Sequence, residues 1–203
     1  RRVIAEHPLG TLVVQGPHGL DANHFPFELE ADAAKGGRLL AHVARANPVW
    51  KEIPDGSDVL VIFGGASAYV SPNWYPSKHE LHKQVPTWNY QVVHIYGRTR
   101  IIEDHDESYL LLKKLMDRYE AASHYKLEDL PQDFVEKQMN GTVGFQVKVT
   151  RIEANYKLSQ NRDAADQAGV GLDANRVGLR HAAVGDDTEP ANMEPIPNPL
   201  DDG

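Results

Sequence analysis

Asp58-Val59-Leu60-Val61-Ile62-Phe63 is the most strand-like run in the chain. Five consecutive apolar residues in so short a run read as a strand buried on both faces. Pro54-Asp55-Gly56 supplies the turn before it, and residues 68–71 continue the sheet beyond it. Toward the amino terminus, residues 11–15 and 23–29 read as two strands around a turn at 16–19, the spacing of a hairpin. Residues 38–44 alternate into another strand, which Asn47-Pro48 ends, and 49–53 form a helical turn.

Toward the carboxyl terminus the alternation is clearer. Tyr90, Val92, His94 and Tyr96 fall on one face, and Gln91, Val93 and Ile95 on the other, with residues 98–103 extending the run past Gly97. Val143, Phe145, Val147 and Val149 share a face of a last strand over 143–153. Helices stand at the margins. Residues 1–6 are helical. Asp104 caps a helix, with Glu107 as its capping-box partner and Tyr109, Leu112, Leu115, Met116 and Tyr119 at helical spacing. Pro131 opens a second helix through Met139, with Phe134 and Val135 facing inward, and 159–168 form a third. Six or seven strands without long βαβ alternation argue against a doubly wound sheet. The expected fold is mainly β (α+β), a closed antiparallel barrel with peripheral helices.

The chain has 203 residues, 41% of them hydrophobic, enough for one domain with an extension. Residues 1–182 are expected to form that domain, and 183–203 an acidic, Pro-rich tail without fixed structure. The chain has no cysteine, which excludes disulfides, thiolate metal sites and cysteine nucleophiles and fits a reducing compartment. The formal net charge is −8, and the densest basic cluster, Lys113, Lys114 and Arg118, has acidic flanks, so direct DNA binding is disfavoured. No run approaches the roughly 20 apolar residues that cross a membrane. Arg1 stands inside a helical pattern, so the numbered chain is expected to start within a longer natural one. A Gly-rich phosphate loop, a Gly-x-Ser-x-Gly elbow and a His-Glu-x-x-His helix are all missing from the sequence.

Two segments combine flat apolar rings with hydrogen-bonding groups: Tyr69-Val70-Ser71-Pro72-Asn73-Trp74-Tyr75 and Val85-Pro86-Thr87-Trp88-Asn89-Tyr90. That mixture suits an amphipathic ring system. Loops plugged onto the core by Trp and Tyr would have the same composition. In His42-Val43-Ala44-Arg45-Ala46-Asn47-Pro48, Arg45 is a fork-shaped donor for a phosphate or carboxylate. A surface arginine beside a satisfied core histidine is the plainer alternative. In Tyr156-Lys157-Leu158-Ser159-Gln160-Asn161-Arg162, two cations flank a Ser-Gln-Asn cluster at an expected helix start, which can hold an anion or simply cap the helix. His79 and His82 have metal-compatible spacing on a helix, but no third ligand follows at a telling distance, and no metal is expected.

His42–Pro48, Ala68–Tyr75, Val85–Tyr90 and Lys157–Arg162, four motifs in order, resemble the FMN-binding negative transcriptional regulator (PaiB-like) family, from about Val3 to Leu179. The resemblance implies a split β-barrel of the FMN-binding, pyridoxamine-phosphate-oxidase-like type. It implies a bacterial, cytoplasmic homodimer with FMN as cofactor at the subunit interface. It also implies a cofactor-binding set. Arg45 would reach the phosphate, beside His42 and Asn47. His24 would face the flavin. Tyr69, Ser71, Asn73, Trp74 and Tyr75 would line the ring or ribityl side. Thr87, Trp88 and Asn89 could come from the partner subunit, and Lys157, Ser159, Gln160 and Asn161 would complete the pocket. Gly64-Gly65-Ala66-Ser67 and His124-Tyr125 depart from the family pattern, the former leaving more room near the ring. The function implied is transcriptional regulation, through a protein partner or flavin chemistry rather than DNA contact. The alternative is an FMN-dependent oxidoreductase or flavin reductase, in which His24 and Tyr69 are the only reasonable acid–base candidates.

Overall fold

Gly16 and Gly19 face each other across the first turn, with only Pro17 and His18 between them. Gly19 has a φ of +114°, a conformation that L side chains rarely adopt, so glycine fixes this turn locally. The hairpin it closes joins β1 (Leu9–Gly16) to β2 (Gly19–Pro26) over their full lengths. The computed structural model describes residues 1–31, 37–78 and 84–176. The chain divides into two compact units, Arg1–Ser67 with Trp88–Lys157, and Ala68–Thr87 with Leu158–Gly203. The expected tail lies outside the described residues.

The first unit is built on a mainly antiparallel seven-stranded sheet. Its remaining strands are β3 (Glu28–Glu30), β4 (Arg38–Ala44), β5 (Asp58–Val70), β6 (Thr87–Ile102) and β7 (Thr142–Lys157). The order is β2-β1-β5-β6-β7-β4-β3. Its two edge strands are halves of one extended run with only Phe27 between them. One half pairs with β1 and the other with β4, so the sheet closes on itself as a split β-barrel. Phe27, 0% exposed, is the plug. Its ring stands edge-on to Phe63 at 5.7 Å and to Phe145 at 5.9 Å. The expected fold class is the observed one.

The inner faces carry Leu12, Val14, Leu39, Ala41, Val43, Val59, Val61, Phe63, Val93, Ile95, Val143, Phe145 and Val147, all buried in one core. β5 departs from expectation. Val59, Val61 and Phe63 are buried, but Leu60 and Ile62 are only half-buried, so the run has one buried face rather than two. β6 is one strand, and it keeps the predicted faces. In β7 the alternation changes phase. Gly97 pairs with Val149 and Tyr96 with Arg151, leaving Thr150 as an extra residue. Before this bulge odd-numbered residues point inward; after it Ala154 and Tyr156 do.

Four helices belong to this unit: α1 (Arg2–Glu6) and α2 (Val49–Glu52), whose Val3, Ile4 and Val49 join the barrel core, and α3 (His105–Tyr119) and α4 (Gln132–Asn140) outside it. The Asp104 carboxylate accepts from the Glu107 amide (2.9 Å), as predicted. The Glu107 carboxylate instead takes Arg100 (2.7 Å from Nη1), because the strand end places a guanidinium there, so the capping box is only half made. Leu111 and Leu115 of α3 pack with Leu40 and Ile102 on the outer side of the barrel. Tyr109, Leu112 and Met116 pack with Leu127, Val135 and Met139. Phe134, expected inward, is 45% exposed, because Val135 and Met139 take the inner stripe of α4. The last helix, α5 (Ala164–Arg176), starts after the expected 159. Asp163 caps it by accepting from the Asp166 amide (2.8 Å).

Candidate functional site

In the second unit the Ser71 hydroxyl accepts from the Asn73 amide (3.2 Å) and caps a 3-10 turn, Pro72–Trp74, with proline at its first position. The following residue, Tyr75, is 1% exposed and packs with Val70 and Val170, with Trp74 half-buried against them. α5 holds this aromatic segment at two points. The Asp166 carboxylate, 2% exposed, accepts from the Ser77 amide (3.0 Å) and the Ser77 hydroxyl (2.7 Å). Gln84 donates to the same hydroxyl (2.7 Å). One turn along, a Cβ on Gly169 would lie 2.2 Å from the Trp74 carbonyl oxygen, so only glycine permits this approach. Asn73 is exposed and accepts from Lys78, and Tyr69 is exposed on the end of β5.

Residues 158–163 close over Tyr75 without forming the expected helix start. Ser159 is buried with φ +60°, in the left-handed region that non-glycine residues seldom occupy. Its hydroxyl lies 3.5 Å from that of Tyr75. Gln160 accepts from the Leu158 amide (2.6 Å), the Arg162 amide donates to the Ser159 carbonyl (3.0 Å), and Asn161 is exposed. The Arg162 guanidinium sits 5.0 Å above the Tyr75 ring. Thr87, half-buried, belongs to this unit and opens β6. Of the predicted residues, Tyr69, Ser71, Asn73, Trp74, Tyr75 and Thr87 thus share a unit with Ser159, Gln160 and Asn161.

The others lie in the first unit. His24 is exposed on edge strand β2. The Asn47 amide donates to Asn23 (3.3 Å) while its oxygen accepts from the Val49 amide (2.9 Å), starting α2. The Arg45 guanidinium donates from Nε to the Asn140 carbonyl (2.8 Å) and from Nη2 to the Thr142 carbonyl (3.1 Å). It also stacks on Trp50 at 5.5 Å. His42 is half-buried on β4, and its Nδ1 is buried with no hydrogen-bond partner among the described residues. Burial pushes its pKa below the ordinary value of 6.5, which disfavours a cationic role. Trp88 is 57% exposed, Asn89 is fully buried, and Lys157, exposed at the end of β7, pairs with Tyr90. Among the described residues no His, Asp or Glu cluster could hold a metal, and His79 and His82 fall outside them.

Three residues of the second unit carry more of the arrangement than the sequence suggests. Ser77 and Asp166 are 89 positions apart, and no spacing rule connects them. Arg162 ends the Lys157–Arg162 motif, yet its stacking on Tyr75 has no local signature. Together the second unit offers rings, hydroxyls, amides and a guanidinium, a donor set that fits a flat heterocycle with a polar, anionic chain.

Known proteins resemble this chain in sequence and in fold. The model of a family described as "Putative FMN-binding domain" matches residues 1–151. The protease synthase and sporulation protein PAI 2 of Bacillus subtilis is 36% identical over 171 residues, 82% of this chain and 78% of that one. An uncharacterized Saccharomyces cerevisiae protein is 40% identical over 105 residues, 50% of this chain and 61% of that one, so such sequences are not confined to bacteria. Among solved structures, the FAD and heme binding protein of Mycobacterium smegmatis matches with a TM-score of 0.58 at 15% identity, over 96% of this chain and 88% of that one. At that identity the likeness speaks for the fold alone.

Proposed function

Because the chain belongs to the FMN-binding domain family, we propose that it is a homodimeric FMN-binding regulator of the PaiB type, acting through a protein partner or its flavin rather than on DNA. FMN is the family's cofactor, and when bound it supplies electron-transfer chemistry while the protein orients it. The observation that carries this reading is the aromatic segment of the second unit. Trp74 offers flat area backed by the buried Tyr75, Ser71, Asn73 and Asn161 offer polar groups, and α5 anchors the segment through Asp166 and Gly169. A preorganised wall of this kind binds a planar ligand without a large ordering cost.

The visible spectrum of the purified protein, before and after adding FMN, tests the reading. A flavin band that survives gel filtration supports it; no retained band in either sample sinks it. A homodimer is favoured by the outer side of the sheet, where Val13, Leu60, Ile62 and Val92 are half-buried apolar residues on neighbouring strands. Light scattering should give twice the chain mass, and Leu60→Glu should shift it toward the monomer. The net charge of −8 favours an indirect regulator. Tight, sequence-specific gel shifts by the pure protein at physiological salt would overturn that part.

A second reading is an FMN-dependent oxidoreductase or flavin reductase. It is favoured by the exposure of both acid–base candidates, His24 and Tyr69, which leaves each open to solvent protons. Rapid mixing of the flavin-loaded protein with a reduced nicotinamide separates the two: bleaching within seconds favours the enzyme, and no bleaching counts against it.

A further inference from the structure

We propose that Arg162, rather than Arg45, is the guanidinium that receives the FMN phosphate, an inference that rests on the FMN reading above. A phosphate dianion calls for a cation whose donors are available and whose position is fixed. Arg45 is poorly placed on the first count. Two of its three guanidinium nitrogens already serve the Asn140 and Thr142 carbonyls, and its face lies on Trp50. Those carbonyls belong to the last residue of α4 and the first of β7, so turning Arg45 toward a ligand would leave a helix end uncapped.

Arg162 meets both requirements. It is half-buried, and Tyr75, itself almost wholly buried, gives its guanidinium a platform at 5.0 Å. Its backbone is pinned at both ends, by its own amide to the Ser159 carbonyl (3.0 Å) and by Gln167 to its carbonyl (2.8 Å). Among the described residues its guanidinium has no carboxylate partner and no side-chain hydrogen bond. The two acids nearest in sequence are otherwise engaged, Asp163 at the α5 cap and Asp166 with Ser77. A partly desolvated cation is normally paired. Here the missing partner is an anion from outside, and the exposed Asn161, one position before, adds an amide donor. Ser159 is held at φ +60°, a costly conformation of the kind that collects at ligand sites.

FMN and riboflavin differ only in the phosphate, so their affinities separate a phosphate contact from general support of the ring. Both flavins are titrated by fluorescence into the wild type and into Arg162→Gln, Arg162→Lys and Arg45→Gln. The wild type should prefer FMN. Arg162→Gln should weaken FMN by roughly tenfold to a hundredfold while riboflavin is unchanged. Arg162→Lys, which keeps the charge but not the fork, should fall between. Equal weakening of both flavins by Arg162→Gln, or unchanged FMN affinity, would overturn the assignment. So would an Arg45→Gln variant that alone loses the preference for FMN. A wild type that binds neither flavin defeats the FMN reading itself. Arg162 is then tested with inorganic phosphate by NMR: a shift of its Nε–H signal that Arg162→Lys lacks supports the anion site, and no shift overturns it.

Discussion

A Cβ on Gly97 would lie 2.4 Å from the Lys148 carbonyl oxygen and 2.5 Å from Val147 Cγ1. The first of these is backbone of the paired strand, which can yield only by disturbing the ladder beside the Thr150 bulge. Gly97→Ala is therefore expected to cost about 1–3 kcal/mol, seen as a lower urea midpoint. His42 gives a second prediction at this scale. Burial holds its pKa below 6.5, so the unfolded chain takes up the proton first as pH falls. The stability associated with a neutral His42 is whole above pH 6.5 and is lost as pH drops toward the folded-state value. Unfolding free energies measured from pH 7.5 downward should decline less steeply in His42→Leu; an identical slope would refute this. Neither effect is legible in the sequence. Gly97 is only one residue within an extended run, and His42 a candidate ligand, until the neighbouring strands are in place.

Among the elements, β3 is a three-residue edge strand, and its two acids are latched to α3. Glu30 receives Arg38 at 2.5 Å and also Lys114, while Glu28 receives Arg118. Such charges cover an edge that would otherwise invite pairing with another chain. Burial works against the charged form of Glu30, but hydrogen bonds from Lys114 and Arg38 outweigh it and hold its pKa below the ordinary 4.5. The stabilisation is thus present above pH 4.5 and lost as pH falls through the folded-state value. With partly exposed partners, Glu30→Gln should cost no more than about 1 kcal/mol at neutral pH. Its difference from the wild type should vanish in acid, and chemical denaturation across a pH series checks both. Element types were largely readable from periodicity, since alternation in β6 and the capping Asp104 of α3 act locally. Boundaries set by distant partners were not. α5 starts after Asp163 rather than at Ser159 because Ser159 is drawn beside the buried Tyr75, and the β7 bulge is visible only against its pairing with β6.

At the scale of the molecule, FMN that binds the folded chain alone should stabilise it by mass action. At about a hundred times its dissociation constant the gain is about 2.7 kcal/mol. A thermal melt should rise with FMN and rise less with riboflavin at the same concentration; no rise with FMN would contradict the reading. The sequence by itself determined the fold class. Hydrophobic alternation, glycine at turns and the missing βαβ pattern all act over a few residues, and each strand announces its own buried face. It also carried the four motifs that place the chain in its family. Only the tertiary structure decided what the charged groups of those motifs do. Arg45 is bound to the carbonyls of Asn140 and Thr142, nearly a hundred positions away. Arg162 rests on Tyr75, and Ser77 on Asp166, partners that chain closure brings within reach. A side chain's donors are consumed by whatever lies near it in space, and no local pattern records that neighbourhood.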